Sequence, residues 1–402
     1  MPAVSATNAG GGEARLQRRL KITLAAAAAC GLLLSWRLWV SSPRQYPTVP
    51  VSRLLPPVPY PLDFVWLAAL LALLAAVALA RESRKFVVAF LVLAGLLCLW
   101  DQSRWQPWFY MYYFMLLALC IGLREGREPE DGAAALNTCR LIVAATYFWG
   151  GLQKVNYEFA TLTVRSLLNP YLRHLPEELR PLTHVLAVVI PLAEICVGAG
   201  LLTRRFRDAA VVCACLMHAF VLMLFVPVRN NVVIWPWNVA MAAVVVWLFW
   251  RDRSFSLREV LSGGRLFAHK LALALFGVMP LLGLFGLWDS YLSAALYSGN
   301  THYAAIYVSD SLRERLPPKA RGVVRLARGR NMLNIGNWSY AELNVPPYPE
   351  PRVYREAGRT VCRLAETPTD AVLEIHGRPN PLDGRRTIET WDCDRLNTAI
   401  SD

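Results

Sequence analysis

Apolar residues in this chain come in long, nearly unbroken runs rather than in the short alternations that mark amphipathic helices and half-buried strands. Nine runs stand out: 22–40, 64–80, 86–100, 108–123, 141–155, 184–203, 209–228, 232–250 and 271–288. Most approach the roughly 20 residues that a helix needs to cross a bilayer's hydrocarbon. The third and fourth are short enough to form a re-entrant pair, but Asp101, Gln102, Arg104 and Pro107 between them favour two helices. The pattern predicts an all-α polytopic membrane bundle of about nine transmembrane helices over residues 22–289, preceded by a basic cytoplasmic N-terminus at 1–21.

The pattern changes after Trp288. Residues 290–402 hold 15 Lys plus Arg and 13 Asp plus Glu, and they read as a small C-terminal α+β domain. Strands are expected at 303–308, 372–376 and 387–391, with a proline-led helix at 350–365. Two linking segments also have character. The proline-rich stretch 41–63 should be extended. Residues 157–182 should hold an amphipathic piece on the membrane surface, and Pro176, Glu177 and Glu178 should open a short helix.

Composition narrows the class. With 55% hydrophobic and 18% charged residues, the chain departs from ordinary soluble domains. Its net charge of +13 could suggest nucleic acid, but the basic residues are scattered between apolar runs, so no nucleic-acid partner is expected. Alternate loops carry 18 and 7 Lys plus Arg when the N-terminus is placed inside. The positive-inside rule then sets the N-terminus in the cytoplasm and the C-terminal domain outside an inner membrane. Seven cysteines lie in or beside apolar runs without metal-ligand spacing and read as packing residues. Cys362 and Cys393 stand alone in the C-terminal domain, where they are either two buried thiols or, in an oxidising compartment, the favoured disulfide.

Four polar residues interrupt the apolar runs of predicted helices five to eight. Lys154 closes the stretch YFWGGLQKVNYEF, and Glu194 and His218 each lie about ten residues from the outer end of their run. That is a depth of roughly 15 Å at 1.5 Å per residue. Asn238 follows IWPW, roughly 9 Å deep by the same rise. Each has a plain structural reading: a snorkelling lysine, a neutral acid or counter-ion, a satisfied interior histidine, an amide at a proline kink. Polar and ionisable groups in hydrocarbon are costly, however, and four on consecutive helices at similar depth suggest one shared site. Tyr147 and Trp149 of the same stretch are expected to line it. Trp36, Arg37 and Trp39 read as an interface anchor, and Asp392-Cys-Asp394 and His376-Gly-Arg378 as ordinary polarity of the C-terminal domain.

The stretch YFWGGLQKVNYEF, followed two helices later by LLTRRFRDAAVVCACLMHAF, resembles the membrane domain of vitamin K-dependent γ-glutamyl carboxylase and its bacterial HTTM relatives, and more distantly the DoxX group. The resemblance implies that Lys154 acts as a base and His218 belongs to the catalytic set, with a quinone or reduced vitamin K-like molecule as cofactor. Beside it, the residues themselves support two readings. One is a pocket for a quinone or isoprenoid facing the outer leaflet, with Lys154 as base or anchor and Glu194, His218 and Asn238 orienting the ligand. The other is a non-enzymatic scaffold that docks an extracytoplasmic protein through residues 290–402.

Overall fold

The computed structural model describes residues 3–52, 54–122, 129–172, 176, 181–229, 231–262 and 266–398. Its first part is helical: α1 (Ala3–Leu34), α2 (Trp36–Trp39), α3 (Leu62–Leu79), α4 (Arg84–Trp100), α5 (Pro107–Gly122), α6 (Pro129–Gln153), α7 (Val164–Leu172), α8 (Leu182–Leu202), α9 (Arg207–Phe225), α10 (Ile234–Phe249), α11 (Leu257–Ser262), α12 (Phe267–Ala272) and α13 (Met279–Leu284). A wide-turned segment, Leu273–Val278, joins α12 to α13 in one run. Among the described residues every apolar run is helical over most of its length, and four helices are long and apolar enough to cross a membrane: α3, α8, α9 and the run Phe267–Leu284. Two more, over Pro107–Ile121 and Ile234–Phe249, are apolar but shorter. The long helices α1 and α6 begin in polar sequence, and α4 opens on Arg84 and Lys85. Length and composition therefore carry four crossings, not the nine expected.

Charged side chains are spent on helix ends inside the bundle. A helix leaves its last four carbonyls without partners, and an apolar surrounding cannot supply water to satisfy them. Fully buried Arg104 donates to Leu38 O (3.1 Å), Trp39 O (3.1 Å) and Leu97 O (2.5 Å), so it closes the ends of α2 and α4 together. Arg44, from the proline-rich segment, bonds Leu38 O and pairs with buried Asp101. Lys21 similarly reaches Ala80 O (2.8 Å) and Ser83 Oγ (2.9 Å) at the other side of the bundle. Trp39, expected as an interface anchor, is instead buried edge-on against Phe109. Trp36 does sit at the surface, beside Phe64 and under Arg37. Of the seven cysteines expected to pack helices, Cys30 and Cys196 are exposed.

The C-terminal part carries one antiparallel sheet of order β2-β3-β1-β4-β5. Its strands are β1 (Tyr303–Val308), β2 (Arg325–Ala327), β3 (Arg330–Asn334), β4 (Ala371–His376) and β5 (Ile388–Asp392). Between them lie α14 (Asp310–Arg315), α15 (Pro318–Arg321), α16 (Ile335–Leu343), α17 (Pro351–Cys362) and α18 (Cys393–Thr398). The register Ile306↔Leu333 and Ile306↔Leu373 aligns three fully buried residues on one face. Against that face α17 lays buried Ala357 and Val361, while buried Val353, one turn earlier, packs with Tyr291 and Tyr348. The expected strands and the helix at 350–365 are present. The β2–β3 hairpin, α14 to α16 and α18 were not expected, because β2 is too short to show an alternation. The helix expected at Pro176-Glu177-Glu178 lies outside the described residues.

A disulfide joins Cys362, at the end of α17, to Cys393, at the start of α18, with Cα atoms 5.4 Å apart and a sequence separation of 31. Closing a loop of that length restricts the unfolded chain, so the Cys362→Ser/Cys393→Ser protein is expected to lose about 3 kcal/mol in the C-terminal domain. Denaturant unfolding followed by Trp391 fluorescence checks this; an unchanged midpoint would leave the bridge without a stabilising role.

The two parts are joined through many polar contacts. Asn300 Nδ2 donates to Gln153 Oε1 (2.7 Å), Asn156 Nδ2 to Ser298 O (2.9 Å), and Tyr157 N to Pro381 O (2.9 Å). Arg386 pairs with Glu158 at 3.2 Å. Arg378, expected to be ordinary polarity of this domain, is mostly enclosed and donates to Gly283 O, Trp288 O (2.9 Å) and Ser290 Oγ (3.0 Å). Beside it Glu350 accepts from Ser290 N (2.7 Å) and Oγ (2.8 Å), and burial holds its carboxyl above the ordinary range. The residues after Lys154 thus serve as the seat of the C-terminal domain.

Candidate functional site

The site begins with two glycines. A Cβ built on Gly151 of α6 would lie 2.6 Å from Pro191 O and 2.7 Å from Ile195 N of α8. One built on Gly198 of α8 would lie 2.6 Å from Phe148 N and 2.7 Å from Ala144 O of α6. Backbone meets backbone at both points, the close approach that small residues permit in membrane bundles. Here it places Glu194, on α8, directly beside the end of α6.

Lys154 follows the last residue of α6 and folds back over it. Its Nζ donates to Gly150 O (3.0 Å), closing the helix end, and to Glu194 Oε2 (2.7 Å). Both side chains are mostly enclosed, 12% and 15% exposed, so the pair has little water to screen it. An ammonium has three protons; two are engaged here.

A second polar chain lies deeper. Asn238 Nδ2 donates to Ile234 O (2.7 Å), one turn back on α10, which leaves its Oδ1 to accept from His218 Nδ1 (2.7 Å) on α9. With the proton on Nδ1, neutral His218 offers Nε2 as an acceptor, and Tyr147 Oη on α6 donates to it at 2.5 Å. Hydrogen bonds therefore run in one direction from Tyr147 through His218 and Asn238 to the α10 backbone. Tyr147 Oη keeps its lone pairs.

Both polar sets line one cavity of about 440 Å³ whose walls are otherwise almost wholly apolar. Every sequence-predicted site residue of the membrane part lines it: Lys154, His218, Glu194, Asn238, Tyr147 and Trp149. Val189 of α8 and Leu216 of α9 line it too and are 49% and 65% exposed, so its mouth lies on the apolar outer surface between these helices. Tyr291, Ala294 and Tyr297, from the segment leading to the C-terminal domain, close the other end. Tyr297 Oη accepts from Asn231 Nδ2 at 2.7 Å, and its ring packs on Phe225 at 5.2 Å. That cover was not foreseen, since 290–302 carries no chemical motif; the aromatics in a segment that should be solvent-exposed were the available signal. Among the described residues no cluster of His, Cys, Asp and Glu could hold a metal.

The fold and site define the class: a polytopic helical membrane protein with a laterally open apolar pocket and a small C-terminal sheet domain. Over residues 132–251 the chain matches the family described as Methylamine utilisation protein MauE. The matched segment covers α6 to α10 and contains all four of Lys154, Glu194, His218 and Asn238. No curated protein matches the chain, and no solved structure does. The expected resemblance to the carboxylase, HTTM and DoxX groups is overturned by this match. The reason is visible in the packing: the glycine pair serves a close helix crossing, and the lysine closes a helix end. Such features recur wherever two helices meet tightly near a membrane surface, and they do not discriminate among families.

Proposed function

We propose that the protein is a membrane accessory protein that holds one lipid-soluble molecule, of the quinone or isoprenoid class, in the pocket between α6, α8, α9 and α10. One observation carries the reading: four polar side chains from four helices converge on a single apolar cavity with its mouth on the lipid-facing surface. Apolar pockets with a few convergent polar groups are the usual form of a small-molecule site. Lys154, paired with Glu194, offers a proton to an acceptor on the ligand, so it serves as an anchor, and Tyr147 Oη offers lone pairs to a ligand hydroxyl. His218 and Asn238 hold Tyr147 in that role, and Trp149 forms part of the wall. The matching family is named for methylamine utilisation, and an accessory place in a system of that kind is the role we carry over.

The proposed setting is an inner membrane with the N-terminus cytoplasmic and the C-terminal domain outside. The basic-residue asymmetry supports it, as does a disulfide that requires an oxidising side.

Mass spectrometry of lipids and quinones that co-purify in mild detergent tests the pocket. Wild-type protein is expected to retain one species enriched at least tenfold over bulk lipid, and Ala193→Trp, which fills the cavity wall, to lose it. Equal recovery of every species from both proteins would reject the pocket reading.

A further inference from the structure

Charge in the C-terminal domain is strongly segregated. Residues 313–330 hold seven of the 15 Lys plus Arg found in 290–402 and one of its 13 Asp plus Glu, Glu314. Six of the seven, Arg313, Lys319, Arg321, Arg325, Arg328 and Arg330, are exposed. Surface ion pairs offset only part of this charge: Glu314 pairs with Arg321 at 3.6 Å, and Arg315 pairs with Glu366 outside the segment. Outside this segment acids outnumber bases, twelve to eight.

The segment ends in the edge strand of the sheet. Among the described residues β2 pairs with β3 alone, through Ala327↔Arg330, Leu326↔Asn331 and Arg325↔Met332. Arg328 and Gly329 both have positive φ (52° and 72°), as a two-residue hairpin turn requires. In such a hairpin the residues flanking the turn exchange hydrogen bonds and the next pair does not. The N–H and C=O of Leu326 therefore point outward along the open edge. Its side chain is 76% exposed, an apolar residue amid arginines. Charged side chains commonly protect sheet edges from pairing; this edge also carries an exposed leucine among its arginines.

Register also fixes where the edge faces. The chain leaves the membrane part just before Tyr303, whereas the hairpin turn lies beyond Asn331↔Val308, at the opposite end of β1. Six residues of strand span about 20 Å, more than twice the roughly 8 Å over which physiological salt screens charge. The basic edge therefore sits outside the effective reach of lipid headgroups beneath the domain.

From these observations we infer that the β2 edge docks an acidic, extended segment of a partner protein, which adds a strand alongside Leu326 while its carboxylates meet Arg321, Arg325 and Arg328. Main-chain bonds along an open sheet edge supply affinity in this mode, and side chains supply selectivity. The inference is independent of the membrane pocket and holds whether or not that pocket binds a lipid.

The full chain in phosphatidylcholine nanodiscs, titrated into a fluorescein-labelled decapeptide of alternating Glu and Val, tests it by anisotropy. Wild type is expected to bind this peptide at least tenfold more tightly than an equally acidic decapeptide of alternating Glu and Pro, which cannot pair as a strand. Arg321→Gln/Arg325→Gln/Arg328→Gln is expected to weaken binding at least tenfold. Leu326→Pro should do the same, because it removes an outward N–H without breaking a β2–β3 bond; an unchanged melting temperature confirms that this variant is folded. Equal affinity for the two peptides, or full binding by the triple variant, would overturn the proposal. So would displacement of the peptide by phosphatidylglycerol vesicles, which would reassign the edge to a membrane surface.

Discussion

Lys154→Met is expected to destabilise the membrane part by about 3–5 kcal/mol, the cost of stranding one partner of an enclosed ion pair. Nζ stands 2.7 Å from Glu194 Oε2 in a cavity with almost no polar wall. Removing the ammonium leaves a carboxylate without its main partner and uncaps Gly150 O. Glu194→Leu alone should cost a similar amount by stranding the ammonium. The double variant Lys154→Met/Glu194→Leu should recover most of the loss, because no buried charge then remains, and matched apolar residues often replace such pairs without penalty. Unfolding in mixed micelles with increasing dodecyl sulfate measures all four proteins. If the single losses simply add in the double variant, the two groups are uncoupled and the pair has no bearing on the site.

Gly151→Leu is expected to abolish the folded bundle. Even the first carbon of a side chain would lie 2.6–2.8 Å from Pro191 O, Ile195 N and Glu194 Cβ, and two of these are backbone atoms that cannot rotate aside. Overpacking a well-filled core costs about 1–3 kcal/mol, and here the helices must also separate, pulling Glu194 from Lys154. Recovery of monodisperse protein after detergent extraction should fall by at least tenfold. Gly12→Ala supplies the contrast, since nothing lies within 4 Å of its added carbon and alanine favours a helix by about 1 kcal/mol; that variant should behave as wild type. A well-folded Gly151→Leu protein would contradict the tight crossing of α6 and α8.

Much of the helical architecture was legible because apolar runs near membrane length have few alternatives: hydrocarbon forces their backbone to satisfy itself. The polar residues that line the cavity were legible for the complementary reason. Lys154, Glu194, His218 and Asn238 stood out because a bilayer penalises such groups, so each demanded an account. How they divide was not legible. Spacing along separate helices does not reveal that Lys154 joins Glu194 while His218 joins Tyr147 and Asn238. That partition depends on helix rotation and on the close crossing at Gly151 and Gly198. Family could not be read from short motifs either, since the features behind the carboxylase resemblance are packing devices, and the match over 132–251 points elsewhere.

The residues after Lys154 show the same division. By itself the sequence determined that an aromatic helix ends at a glycine pair and a lysine, that polar residues follow, and that a small mixed domain begins after Trp288. Local hydrophobicity and turn chemistry suffice for that much. Only the tertiary structure decided that Gln153, Asn156, Tyr157 and Glu158 hold the C-terminal domain, that Arg378 bonds Gly283 and Ser290, and that Tyr291 and Tyr297 cover the pocket. These contacts join residues far apart in the chain, as in Tyr157 with Pro381 and Glu158 with Arg386. The identity of a polar residue says that it needs a partner, but which partner it finds is set by where folding brings the chain.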